Sequence, residues 1–415
     1  MARARDRRDP SRGDALAITG DALSAVFREE AGRLTASVMR VLGDFDAAEE
    51  VVQDALLAAW EQWPVDGVPE RPAAWLWTVA RRRAVDLLRR DVRYRQKLAL
   101  AAWPVEPPGE PEVDDGRLRL VFTCCHPSLS PEARVALTLR TVCGLTTAEI
   151  ASAFVVSEAA IVQRLTRARR KIAAAGVPYR VPADDELGER LGDVLAVTYL
   201  LFNEGYLCSA GDRPQRRDLS DDAEWLAALL ARLMPTEPEV LGLLALIRLH
   251  RARTLARFDG RGRLVLLRDQ DRSRWDRTEI AAAGDLLGRA ARLRRPGPYQ
   301  LQAAIVACHA EAPSWEATDW LQILLLYDAL LEHLPSAVIR LHRAIALSHV
   351  AGPQDALDEV DRLHDELARY HLFHATRAEL LRGLGRPLEA RHADAQALHL
   401  TGNPAERALL EQRLA

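Results

Sequence analysis

The sequence predicts an all-α fold: two small helical domains, the second carrying a helix-turn-helix, joined by a Pro- and acid-rich linker and followed by a large helical C-terminal domain with tetratricopeptide-like repeats. Three observations predict it. Alternation of β-branched residues at period two is almost absent, and apolar residues recur instead at three- and four-residue spacing. Gly- and Pro-rich stretches separate these periodic runs. The last part of the chain matches itself at a shift of 34 residues, a period that belongs to stacked helix pairs.

At 415 residues the chain is too long for one ordinary core, and with 48% hydrophobic residues it can fill several. The expected organisation is a flexible N-terminus (1–20), a first helical domain (21–97), a linker (98–113), a second helical domain (114–176), a short linker (177–186), a helical domain (187–297) and repeats (298–415). "AAWPVEPPGEPEVDD", Ala101 to Asp115, contains four prolines and five carboxylates and favours an extended chain. "GVPYRVPADDE" and "RRPGPYQ" mark the later breaks. "GRGRLVLLRDQ", Gly260 to Gln270, stands outside the helical pattern as a short strand or a packed loop.

The formal charge of −3 hides an asymmetry, because basic residues exceed acidic ones before Arg180 and the reverse holds after it. Two compact basic patches lie in the front part. Arg81, Arg82, Arg83, Arg89, Arg90, Arg93, Arg95 and Lys97 face only Asp86 and Asp91, and Arg164, Arg167, Arg169, Arg170 and Lys171 have no acidic neighbour among them. Clustering of this kind fits a polyanion, although a basic run is most often a solvated helix face.

The first helix of note, "DAAEEVVQDALLAAWEQW" (Asp46 to Trp63), offers Val51, Ala55, Leu56 and Ala59 to a core. Its carboxylates Glu49, Glu50 and Asp54, with Gln53 among them, have no Lys or Arg nearby in sequence, so a basic protein partner is expected. "RPAAWLWTVARRRAVDLLRR" (Arg71 to Arg90) puts Leu76, Ala80, Ala84 and Leu87 on one side. Trp75 and Trp77 beside arginines suit melted nucleic acid, since rings stack on bases and guanidinium groups follow phosphates. Either tryptophan can instead be core.

"SLSPEARVALTLRTVCGL" predicts a helix with Ser130 as N-cap, Pro131 at its first position and Glu132 in its first turn. In "LTTAEIASAFVVSEAAIVQRLTRARRK", Thr146 or Thr147 caps a short helix with Ile150, Ala151 and Phe154 inward, and Val155 and Val156 form the turn. Ser157 caps a second helix whose stripe is Ile161, Leu165, Ala168 and Ile172. The opposite side carries Gln163, Arg164, Thr166, Arg167, Arg170 and Lys171. That is a helix-turn-helix whose apolar stripe holds its own domain and whose basic face reaches base edges and phosphates in a major groove.

This combination, in this order and spacing, resembles the extracytoplasmic function (ECF) sigma factors of the sigma-70 superfamily over 21–97 and 114–176. The remainder, with "YLLFNEGYLCSAGD" and the 34-residue repeat, resembles the subgroup with a tetratricopeptide-like C-terminal extension. The resemblance implies a non-enzymatic subunit of RNA polymerase that binds promoter DNA. Glu49, Glu50, Gln53 and Asp54 fall where the family contacts the clamp helices of the β′ subunit. Trp75, Trp77, Arg81, Arg82, Asp86, Arg89 and Arg90 fall in the segment that melts and reads the −10 element. Ser157, Gln163, Arg164 and Arg167, with Arg170 and Lys171, fall on the helix that reads the −35 element, and the β flap is the further polymerase contact implied. The chain departs from the family pattern at Arg82, Val155, Ala160 and Val162.

In the repeats, Arg343/Arg377, Ala344/Ala378, Leu347/Leu381, Pro353/Pro387 and Ala356/Ala390 align, which predicts a concave surface for a protein, a peptide or the front half of the chain. Rival readings are weaker. Cys124, Cys125 and His126 are too close in sequence to occupy corners of one metal site, so no metal and no cofactor is expected. No Gly-rich phosphate loop or nucleophile elbow occurs. "LFNEGY" reads as a helix-end turn around Gly205. Five cysteines in no regular framework, and the lack of an apolar signal core or membrane-length window, fit a cytoplasmic protein without membrane contact. The competing class is a tetratricopeptide scaffold whose front half only binds a protein.

Overall fold

The computed structural model describes residues 30–90, 116–154, 156–206 and 217–414. The N-terminus, the linker at 98–113, Val155 and the side chains of Arg89 and Arg90 lie outside what is described. Among the described residues the fold is all-α, with nineteen helices and no strand. The chain divides into two compact units, 1–197 and 198–415.

In the first unit, α1 (30–42), α2 (Phe45–Asp66) and α3 (Pro72–Arg90) make one bundle. Asp44 starts α2 by accepting from the Ala47 amide at 2.9 Å, as an N-cap should. Ala48, Val51, Val52, Ala55, Ala59 and Trp63 form the buried stripe of α2, and Leu76, Trp77, Ala80, Ala84 and Leu88 that of α3. Leu56 and Leu87, expected inside, are only half-buried; Leu56 lies one residue, about 100°, around α2 from Ala55 of the stripe.

The next helices are α4 (Arg117–Cys124), α5 (Pro131–Thr141), α6 (Thr147–Ala153) and α7 (Glu158–Ala174). Ser130 caps α5 through the Ala133 amide, with Pro131 opening the helix, as its sequence requires. Thr146 and Glu149 form a capping box at α6, each side chain accepting from the other's amide. Cys124 and Cys125 are buried packing residues. Burial pushes the Cys125 thiol up to about 11, and it shares a 3.4 Å hydrogen bond with Thr138.

α1 lies directly on this second group. A Cβ at Gly32 would stand 2.9 Å from the Val142 carbonyl, so only glycine permits the approach. Tyr179 Oη lies 3.0 Å from the Ala36 carbonyl and 3.1 Å from that of Gly116, tying α1 to the start of α4. α8 (Asp184–Tyr206) then begins, and Asp193 receives Arg134 at 2.6 Å. α8 runs through Gly205, so "LFNEGY" is helix rather than a helix-end turn: burial of the neighbouring Leu201 and Phe202 outweighs glycine's low propensity.

The second unit is built around α10 (Pro238–Arg251), which is buried along nearly all its length. α9 (Arg217–Leu233), α11 (Arg277–Arg292) and α12 (Pro298–Glu311) pack on it. Glu239 caps α12 by accepting from the Tyr299 and Gln300 amides at 2.9 and 3.1 Å. The ambiguous stretch at 260–270 is a loop with one isolated bridge, Phe258 to Leu264, and a short 3-10 turn. The remaining helices are α13 (Trp320–His333), α14 (Ala337–Val350), α15 (Pro353–Asp361), α16 (His364–Leu367), α17 (His371–Gly383), α18 (Pro387–Leu400) and α19 (Pro404–Leu414). Pro353 and Pro387 open α15 and α18, and the aligned alanines 344, 378, 356 and 390 are all buried where these helices meet. The extra turn α16 interrupts the two-helix rhythm.

Candidate nucleic-acid interface and the acidic helix

α7 divides its residues as its sequence requires. Ser157 caps it from 3.2 Å to the Ala160 amide, and Ile161, Leu165, Ala168 and Ile172 are buried. Gln163, Arg167, Arg170 and Lys171 are exposed, and Arg164 is half-buried. Arg167 donates to Gln163 at 3.2 Å, so the two present one polar surface. Thr147 donates to Glu158 at 2.6 Å, joining the start of α6 to that of α7 and fixing their crossing. The result is a capped helix with an outward cationic face.

On α3, Arg81, Arg82 and Asp86 are exposed, with Trp75 half-buried at the edge of the same helix. Trp75 packs edge-on to Trp63 at 5.7 Å, which holds its ring in place. Trp77, expected to stack on bases, is instead buried among the α2 and α3 side chains. Its position one residue from Leu76 and three from Ala80 turns it into the core stripe.

On α2, Glu50 and Gln53 are exposed, Asp54 and Glu49 half-buried. Asp54 lies 3.6 Å from Arg83 of α3. Glu49 is held by two arginines from far along the chain: Arg140 of α5 at 3.0 Å and Arg169 of α7 in a close ion pair, with Asp46 3.7 Å from the same guanidinium. A cleft lined by Ala31, Thr35, Phe45, Val52, Gln53 and Thr141 surrounds the Glu49–Arg140 contact. The carboxylates that lack cations in sequence therefore acquire them in the fold. Arg169 gives the signal that sequence reasoning missed: it sits four residues after Leu165 and three before Ile172, and so belongs to the edge of the buried stripe. Leu57 and Trp60, 56% and 49% exposed, were also missed. They lie beside Glu50 and Gln53 at helical spacing and give that face an apolar strip.

Among the described residues no helix is long and apolar enough to cross a membrane. Residues 26–94 match the family described as Sigma-70 region 2, residues 119–172 that described as Sigma-70, region 4, and residues 190–291 a family of unknown function, DUF6596. An uncharacterized protein of Rhizobium meliloti (strain 1021) is 43% identical over 396 residues, 91% of this chain and 92% of that protein. The ECF RNA polymerase sigma factor SigL of Mycobacterium tuberculosis (strain ATCC 25618 / H37Rv) is 34% identical over 161 residues, 38% of this chain and 90% of SigL. The ECF RNA polymerase sigma factor SigK of Mycobacterium sp. (strain KMS) is 34% identical over 152 residues, 35% of this chain and 78% of SigK. No solved structure matches the chain. Matches to both sigma regions, in the order the helices stand, set aside the scaffold reading: with a relative named as an ECF sigma factor covered over nearly its whole length, the chain belongs to the ECF RNA polymerase sigma factors of the sigma-70 superfamily.

Proposed function

We propose that this sigma factor engages core polymerase through α2, opens the −10 DNA with α3 and anchors at −35 with α7. The observation that carries the reading is the segregation of α7 into a buried stripe and a cationic face of Gln163, Arg164, Arg167, Arg170 and Lys171, capped by Ser157. Glu49, Glu50, Gln53 and Asp54 face the β′ clamp helices, Leu57 and Trp60 extend that contact, and the 114–176 domain meets the β flap. Trp75, Arg81, Arg82, Asp86, Arg89 and Arg90 serve the −10 element, while Trp77 supports them from the core. The chain works in the cytoplasm and catalyses nothing itself; the polymerase performs the chemistry.

Glu49 cannot meet polymerase while Arg140 and Arg169 hold it, so engagement requires these pairs to part. The helical region from 187 onward, with a protein or peptide on its repeats, governs when this happens. The −35 assignment is tested by Arg164→Ala and Arg167→Ala in reconstituted holoenzyme. Each replacement should weaken promoter binding and flatten the dependence of log affinity on log salt by about one. Unchanged affinity and slope would place the −35 helix elsewhere.

A further inference from the structure

Buried arginines ordinarily meet carboxylates, because an unpaired charge out of water is costly. The second unit contains three that do not. Arg253, Arg257 and Arg272 are between 7% and 9% exposed, and none has a carboxylate within ion-pair distance among the described residues. The carboxylates acting on Arg257 and Arg272 are committed or outside: Glu406 lies 2.9 Å from His371 Nε2 and accepts from Thr401, and Glu316 is exposed.

Their existing partners use only part of their donors. Arg253 Nη2 donates to His250 Nδ1 at 2.9 Å. Arg257 Nη1 donates to the Tyr206 carbonyl at 2.6 Å, with its guanidinium 3.6 Å from the centre of the Tyr206 ring. Arg272 Nη1 donates to the His309 and Ala312 carbonyls at the end of α12. Arg253 and Arg272 lie 5.9 and 4.7 Å from the centre of the same ring, that of Trp275. Four buried nitrogens of these residues and of His309, whose carbonyl Arg272 holds, have no hydrogen-bond partner: Arg253 Nε, Arg272 Nη2, Trp275 Nε1 and His309 Nδ1.

The first three nitrogens can only donate, and a neutral imidazole can donate from Nδ1. Helix-end carbonyls explain why Arg257 and Arg272 are near, but they leave these four nitrogens without a partner and the net charge uncompensated. One oxyanion would complete both, since a carboxylate or phosphate accepts several N–H bonds and the planar guanidinium suits it.

We propose that the Arg253, Arg272, Trp275 and His309 cluster of the C-terminal unit is a binding site for the oxyanion group of a small molecule, a carboxylate or a phosphate. It lies among helices distinct from α2, α3 and α7, and stands independently of the sigma assignments made to them.

The test uses the full chain, titrated separately with inorganic phosphate and with citrate at ionic strength matched by chloride. The expected result is saturable binding of one anion per chain by calorimetry, with a rise in Tm of about 5 °C. Arg253→Gln should weaken that binding at least about tenfold, while Arg289→Gln, the same change of charge at an exposed position, should not. Response to phosphate alone assigns a phosphorylated ligand, and response to citrate alone a carboxylate. If neither anion acts beyond chloride, or both variants bind equally, the site does not exist. If Arg253→Gln fails to fold, Arg253→Lys keeps the charge and removes the Nε–H. Binding by that variant as tight as in the parent would overturn the proposal.

Discussion

Glu49 is the residue on which the first unit turns. In sequence it is one of several carboxylates without a cation nearby, and in the fold it receives Arg140 and Arg169. Both partners are more than ninety residues away along the chain, so no local spacing rule could pair them. If these contacts hold α2 closed, removing one of them should favour polymerase. Arg169→Ala should tighten binding to core polymerase about fivefold, the equivalent of about 1 kcal/mol for a half-buried pair. Unchanged or weaker binding in a competition titration would show that the pair does not restrain α2. Trp77 teaches the complementary lesson. An aromatic next to arginines reads as a stacking residue, but helical phase decides, and the phase of Leu76 and Ala80 carries Trp77 inward.

At the scale of elements, the caps and the α7 stripe were readable. Ser130, Pro131 and Ser157 start α5 and α7 where the sequence places them, and the stripe Ile161, Leu165, Ala168 and Ile172 is buried as expected. Glycine misled in one case, because α8 continues through Gly205 once tertiary burial outweighs local propensity. The pairing of helices also sets protonation. Burial, together with Arg253, Arg272 and His349, pulls His309 of α12 down to about 4, and His250 of α10 lies well below its usual value for the same first reason. The unfolded rings titrate near 6.5, so on acidification between about pH 6.5 and 4 the unfolded chain takes up protons that the folded one refuses. The stability these rings contribute is complete above that window and lost as the pH falls through it. The Tm of the full chain should therefore drop by several degrees between about pH 7 and pH 5. His309→Gln should make the drop smaller; an undiminished drop would show that His309 is not its source.

For the molecule as a whole, the all-helical class and the two sigma-like segments were legible because each rests on repeating local patterns. What joins them was not: the approach of α1 at Gly32, the Tyr179 bridge and the paired Glu49 are long-range contacts. The arginine cluster of the second unit was hidden for the same reason, since Arg253, Arg272 and His309 come from three separate segments. The proposed control by the C-terminal region predicts a measurable difference. A chain ending near Gly176 should differ from the full chain in its rate of promoter-dependent transcription, and identical rate and regulation in a reconstituted assay would contradict that role. The central claim is tested most directly by competition of the purified full chain with a primary sigma factor for core RNA polymerase. The account predicts displacement by the full chain, and stronger displacement once Arg169 is replaced. Failure of the full chain, of the Arg169→Ala chain and of residues 1–176 alike to displace the primary factor would contradict it.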